Sequence, residues 1–294
     1  MLSVVRRRQQ PSEGKFDSPT VRMAEPLLPL IVESDRLERA LGREELLIVD
    51  VGDEVTYRQH HVPGAVHVDY EDLIGMEPPA TGRLPDDRRL GDVFTAIGIS
   101  AGAHVVAYDG ESNSLATRLL WTLDAVGHRS FSLLDGGLFA WLAGGHPTET
   151  GVTEPNPTRY RVGDHGPARA DKSYILDRLN DPGVVLLDTR SPAEFSGQDV
   201  RAARGGHIPG AVNMDWQLAI NRERYPRLRP AHELRRMLEE LGVTPDKDVI
   251  VYCQTHHRSS HTYVVLRSLG YPRVRGYDGS WSEWGNDPET PIEI

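Results

Sequence analysis

A single cysteine, Cys253, stands in 294 residues, so no disulfide can form within the chain, and nothing else in it suggests secretion. No apolar run approaches the ~18 residues of a membrane-crossing helix, so no membrane association is expected. Positive charge is in deficit, with 33 Lys and Arg against 43 Asp and Glu and a net charge of -10. That balance argues against nucleic acid as a partner, and a cytoplasmic monomer is the expected setting. With 38% hydrophobic and 26% charged residues the composition is that of a folded chain rather than a disordered one. Its length suits one large domain or two of ordinary size. The start, MLSVVRRRQQPSEGK, has the arginines of a signal or transit peptide, but QQPSEGK stands where the apolar segment should follow. Residues 1–26 are therefore expected to be a disordered leader.

What the chain does contain is written twice. LLIVDVGDEVTYRQHHVPGAVHVDY (Leu46 to Tyr70) is answered by VVLLDTRSPAEFSGQDVRAARGGHIPGAVNMDW (Val184 to Trp216). HVVAYDGESNSLATRLLWTLDAVGHRSFSLLDGGLFAWL (His104 to Leu142) is answered by DVIVYCQTHHRSSHTYVVLRSLGYPRVRGYDGSWSEWG (Asp248 to Gly285). Two copies in one order indicate a duplicated domain rather than a solenoid. LLIVD, AVHV, HVVAYD and SFSLL, with VVLLD, AVNM, VIVYC and RVRGY, read as buried parallel strands. Between them lie amphipathic stretches such as AHELRRMLEELG and SSHTYVVLRSLG, each stopped by a glycine (Gly242, Gly270). The fold class is thus α/β, with a doubly wound, mainly parallel sheet flanked by helices in each half. A Gly-, Pro- and Thr-rich stretch separates the halves and reads as an extended linker.

Cys253 falls at the C-terminal end of the VIVY strand, with a helical pattern resuming near Arg258. In open α/β sheets ligands bind at that place, where backbone N–H groups and a helix N-terminus converge. A thiol there loses its proton readily, and Arg258 favours the thiolate. An inert core thiol and a metal site are the rivals. Cys253, His256, His257 and His261 are metal-ligand types, but the first three crowd one turn with an arginine that repels cations, so no metal and no cofactor are expected. His60, His61 and His207 read as turn residues.

The pieces LDTRSPAEF, GGHIPGAVN, VYCQTHHRS, LGYPRVRGYDGSW and EWGNDPETPIEI resemble the rhodanese family, in particular tandem-domain thiosulfate sulfurtransferases with a Cys-Gln-Thr-His-His-Arg loop. The resemblance implies an inactive rhodanese-like domain at 27–147, a linker at 148–171 and a catalytic rhodanese domain at 172–294. It implies that Cys253 carries sulfur as a persulfide, from thiosulfate to cyanide or to a thiol such as that of a thioredoxin-like protein. Gln254, Thr255, His256, His257 and Arg258 would bind the substrate, and Arg190 would hold the donor's sulfonate oxygens. The repeat itself places Asp109 opposite Cys253, and a carboxylate cannot carry sulfane sulfur. The first copy is then expected to wall the cleft and stabilise its partner.

Several readings compete. Arg190 could instead pair with Glu194, which itself reads as the cap of a helix opened by Ser191-Pro192. Trp281 and Trp284 lie at helical spacing, and Trp284 reads as core, whereas Trp216 could line the cleft. Related enzymes use 3-mercaptopyruvate, but with a Gly/Ser-rich loop that QTHHR does not match. A cysteine phosphatase needs a larger cradle than the four residues between Cys253 and Arg258. A non-catalytic binding module has no use for an intact Cys253.

Overall fold

In the computed structural model the described residues are 26–110 and 112–294. Apart from Pro26, the expected leader lies outside them. The first half builds a parallel sheet from β1 (Ile31–Val32), β2 (Leu46–Asp50), β3 (Val66–His67), β4 (His104–Tyr108) and β5 (Phe131–Leu134), in the order β1-β5-β4-β2-β3. The second half uses β6 (Arg169–Ala170), β7 (Val184–Asp188) and β8 (Val212–Asn213). An antiparallel hairpin follows, β9 (Ile220–Asn221) with β10 (Arg227–Leu228), and then β11 (Asp248–Tyr252) and β12 (Val274–Tyr277). The second sheet runs β6-β12-β11-β7-β8, the same topology as the first. β6 falls inside the segment expected as linker, where its pairing with β12 makes it an edge strand of the second sheet.

Helices cover both faces of each sheet. The first half carries α1 (Ser34–Glu38), α2 (Glu54–Gln59), α3 (Asp87–Ala96), α4 (Ser114–Ala125) and α5 (Gly137–Ala143). The second carries α6 (Lys172–Leu176), α7 (Pro192–Phe195), α8 (Ala231–Glu240), α9 (Arg258–Ser268) and α10 (Ser280–Trp284). Strand residues alternate between the faces, as the period of two requires. Val105 and Ala107 join a core shared with Val249 and Val251 of the other sheet. Val106 and Tyr108 face a core under α1, α2 and α5, and Ile250 and Tyr252 face one under α6 and α10. The shared core is closed by α4 packed on α9, whose side chains are buried almost all round. SSHTYVVLRSLG, expected to be amphipathic, has instead no solvent-facing stripe from Ser259 to Leu266, because α4 covers the face that would otherwise meet water. Trp281 and Trp284 are both buried in the α10 core.

Candidate active site

The active-site loop is a short bridge from β11 to α9. Cys253 donates its backbone N–H to the Ser280 hydroxyl at 3.3 Å, and its carbonyl accepts from Trp281 N–H at 2.9 Å. Gln254 carbonyl accepts from Ser282 N–H at 2.9 Å, so the start of α10 clamps the loop from below. His256 takes a left-handed conformation, with φ 57°, which turns the chain sharply enough for α9 to begin at Arg258.

Cys253 is wholly buried. Burial pushes its thiol up, but the Arg258 guanidinium, the Ser259 hydroxyl and the N–H groups of Ser259 and Thr255 outweigh that and hold it below its ordinary value. Arg258 is fixed in turn by Glu194, with Nη1 donating to Oε2 at 2.6 Å and Nη2 to Oε1 at 2.8 Å. Glu194 does cap α7 through a complete capping box with Ser191. The cap is a local motif, whereas the ion pair joins residues 64 positions apart and has no local signature.

A cleft of about 600 Å³ opens on this loop. Gln254, Thr255, His257 and Arg258 line it, with Trp216, Gln217, Arg201 and Arg222 from the rest of the second domain and Ser112 and Ser114 from the first. The first domain therefore does form part of the wall. His257 is the loop histidine at this opening, its Nε2 3.0 Å from Ser114 Oγ and its ring against Tyr70. Burial, then Arg118 and Arg258, push His257 down to about 4, so it is neutral at pH 7.

Two expected substrate contacts are placed elsewhere. Arg190 is 1% exposed and is not on the cleft wall. Its Nε lies 3.0 Å from both Asp188 oxygens and its Nη2 donates to Asp188 Oδ2 at 2.6 Å and to Gly206 carbonyl at 2.7 Å. Nε and Nη2 are thus committed to the interior, and the partner is Asp188 rather than Glu194. His256 is also fully buried, beneath the loop, with its ring edge-on to Trp121 at 4.2 Å and Nδ1 2.7 Å from Ser259 Oγ. Its ring occupies the space left by Gly276, where a Cβ would collide with it. Neither placement has a local signature; both depend on which way a short loop folds.

Arg201 and Arg222 are cleft arginines that the sequence motifs do not mark. Arg201 reaches Asp199 at 2.8 Å and Glu194 at 3.7 Å, whereas Arg222 makes no ion pair among the described residues. The first domain also touches the loop at Gly82, where a Cβ would collide with the Thr255 carbonyl.

In the first copy the same cradle is filled from within. The Asp109 carboxylate accepts N–H bonds from Asn113 at 2.7 Å, Leu115 at 2.8 Å and Ala116 at 2.9 Å. An anion of the chain's own therefore sits at the N-terminus of α4, where a substrate anion would otherwise bind.

Comparison with known proteins agrees with this architecture. The sequence profile of the rhodanese-like domain matches residues 33–144 and 171–287. The thiosulfate sulfurtransferase of Azotobacter vinelandii is 42% identical over 267 residues, covering 91% of this chain and 98% of that protein. The thiosulfate sulfurtransferase of Pseudomonas aeruginosa is similar to the same extent, 42% over 267 residues. The sulfur carrier protein TtuD of Thermus thermophilus is 33% identical over 277 residues, covering 90% and 96%. Among solved structures, wild-type EanB superposes with a TM-score of 0.81 at 22% identity, covering 90% of this chain and 69% of that one, a likeness of fold.

Proposed function

This chain belongs to the rhodanese-like domain family, and from that premise we propose that it is a thiosulfate sulfurtransferase working through a Cys253 persulfide. The observation that carries the reading is the contrast between the two loops. One holds a thiol whose proton is loosened by Arg258 and loop N–H groups; the other holds a carboxylate that blocks its own cradle.

The reaction is a double displacement. The Cys253 thiolate attacks the outer sulfur of thiosulfate, and the S–S bond of the donor breaks. Sulfite leaves with the electron pair, and Cys253 keeps the sulfur as a persulfide anion. Cyanide, or the thiolate of an acceptor protein, then attacks that outer sulfur, and the cysteine thiolate departs. Charge is conserved at each step, so the protein's task is to stabilise anions and not to move protons. N–H groups of the loop face the sulfur, and Arg258, held by Glu194, supplies a fixed positive charge. Arg222, the cleft arginine without an ion pair among the described residues, takes the role of sulfonate contact in place of the buried Arg190. Gln254, Thr255 and His257 shape the entrance.

A cytoplasmic, monomeric enzyme is the setting of this reading, since a free thiolate persists in a reducing compartment. No helix among the described residues is long and apolar enough to cross a membrane. Intact mass spectrometry tests the reading. Thiosulfate should add ~32 Da once per chain, and cyanide should remove it with release of thiocyanate. An adduct that persists in Cys253→Ala, or no adduct on the native chain, would sink it.

A further inference from the structure

The first domain, although it lacks a nucleophile, contributes a buried cation directly behind the active-site loop. Arg118 lies on α4 and is 0% exposed. Its Nη1 donates to the His256 carbonyl at 3.5 Å and its Nη2 to the Leu73 carbonyl at 3.3 Å, while Nε has no partner. The guanidinium lies 4.8 Å from the ring of Trp121, and the same ring meets His256 edge-on. Ser114 and Thr117 of the same helix touch His257 and Ser260, so one face of α4 backs the loop and the start of α9.

What is unusual is the charge. Three other arginines beside the loop are paired, Arg190 with Asp188, Arg258 with Glu194 and Arg169 with Asp278. Arg118 has no carboxylate within ion-pair distance among the described residues. A buried cation with no counter-charge costs several kcal/mol, so such a group is expected to have an anion within electrostatic range. Its electrostatic neighbours are Tyr70, Asp278 and Cys253, which favour its charge, and the cation Arg169, which opposes it. Asp278 is already engaged by Arg169 Nε at 2.9 Å and by Leu84 N–H at 2.7 Å. Tyr70 is pushed up to about 12, mainly by burial, and is neutral at pH 7. The remaining anion is the thiolate, or the persulfide that replaces it.

The geometry points to Arg118 as a positioning residue for sulfur transfer: from the first domain it meets the His256 carbonyl and sets a buried cation without a carboxylate partner behind the loop that carries the Cys253 anion. This inference rests on the sulfurtransferase reading for its purpose, but not for its test. It also gives the first domain a part in the chemistry beyond walling the cleft.

The lone cysteine makes the measurement clean, because the ultraviolet absorbance of the thiolate can be titrated against pH with Cys253→Ala as the blank. Arg118→Met removes the charge, Arg118→Gln keeps a hydrogen-bond donor without charge, and Arg118→Lys keeps the charge. The titration midpoint should rise by about one pH unit in Arg118→Met and Arg118→Gln and stay near the native value in Arg118→Lys. Transfer of sulfur should lose about tenfold in kcat/KM at neutral pH in the two uncharged variants. Melting curves establish that each variant is folded, and if Arg118→Met is not, the comparison of Gln with Lys decides. Midpoints that coincide in folded Gln and Lys variants overturn the inference. A native protein with a lowered midpoint but no persulfide would instead overturn the sulfurtransferase reading and leave this one standing.

Discussion

Arg258 and Glu194 meet fork to fork across 64 residues of sequence, with both N–H···O contacts between 2.6 and 2.8 Å. The pair ties the N-terminus of α9 to α7, and so fixes the far end of the loop that begins at Cys253. Because Glu194 is 1% exposed, its removal leaves a poorly solvated cation. Glu194→Ala should destabilise the protein by on the order of 3 kcal/mol and reduce sulfur transfer by roughly 10- to 100-fold. The pH dependence has a definite sign. Burial pushes the Glu194 carboxyl up, but Arg258, the Ser191 N–H and Arg201 outweigh it and bring it down to about 2 from an ordinary 4.5. A carboxyl lowered by folding lends stability that is complete above about pH 4.5 and disappears as pH falls towards 2. Acid unfolding of native protein and Glu194→Ala should therefore converge in that window; a constant stability difference down to pH 2 would contradict the account.

Arg190 and Arg222 should separate stability from binding. Arg190→Ala leaves the wholly buried Asp188 carboxylate unpaired, so a loss of about 3–5 kcal/mol is expected, seen as a lower unfolding midpoint in urea. Arg222→Ala removes an exposed cation at the cleft, so stability should be unchanged. Its KM for thiosulfate should rise several-fold with little change in kcat, and the effect should fade as salt is added. Steady-state kinetics at two salt concentrations decide this, and an unaltered KM would remove Arg222 from the donor site.

These two arginines also show where sequence reading stops. Internal repetition and strand-length apolar runs made the paired α/β architecture legible, since each reflects a local period. Cys253 was legible for the same reason: a strand end, a polar turn and a helix start are all local features. The position of Arg190 is not legible, because LLDTR records only that an arginine follows a strand, not whether it turns outward to the cleft or back onto Asp188. At least one of His256 and His257 is expected at the entrance; it is His257, and which one is not legible because it depends on a left-handed residue within the loop. Arg118 carries no signal in sequence, because it belongs to the copy without a nucleophile and its contact with the loop crosses the domain boundary. The edge strand Arg169–Ala170, inside the segment read as linker, is too short to announce itself in sequence.

Asp109 is the counterpart of Cys253, yet its carboxylate has a structural task. Three backbone N–H groups at the start of α4 converge on it at 2.7–2.9 Å. Asp109→Ala should remove that cap and cost about 2 kcal/mol, lowering Tm by roughly 4–8 °C. Turnover at a temperature where the variant is folded should stay within about tenfold of native, since Asp109 does not line the catalytic cleft. Calorimetry and a thiosulfate:cyanide assay on the same preparation check both halves. An unchanged Tm would show that the carboxylate does not hold the helix.

Loop length separates sulfur from phosphorus chemistry at this position. Four residues lie between Cys253 and Arg258, and His256 must adopt φ 57° for so short a bridge to reach α9. The resulting cradle directs N–H groups of Thr255 and Ser259 at a single sulfur atom. A phosphate monoester would bring a phosphorus and three further oxygens into the same space, against a loop clamped by Trp281 and Ser282 below and crowded by Gly82 at Thr255. The native protein should therefore show no appreciable hydrolysis of an aryl phosphate. One glycine inserted after His256 should relax the turn and move the donor by about 1 Å relative to Cys253, which is enough to cost about a hundredfold in transfer. The wider loop would then admit a tetrahedral oxyanion. A paired assay of thiosulfate:cyanide transfer and aryl phosphate hydrolysis on both proteins makes the test. Cys253-dependent phosphatase turnover in the native chain would show that cradle size does not select the chemistry, and would favour the phosphatase over the sulfurtransferase.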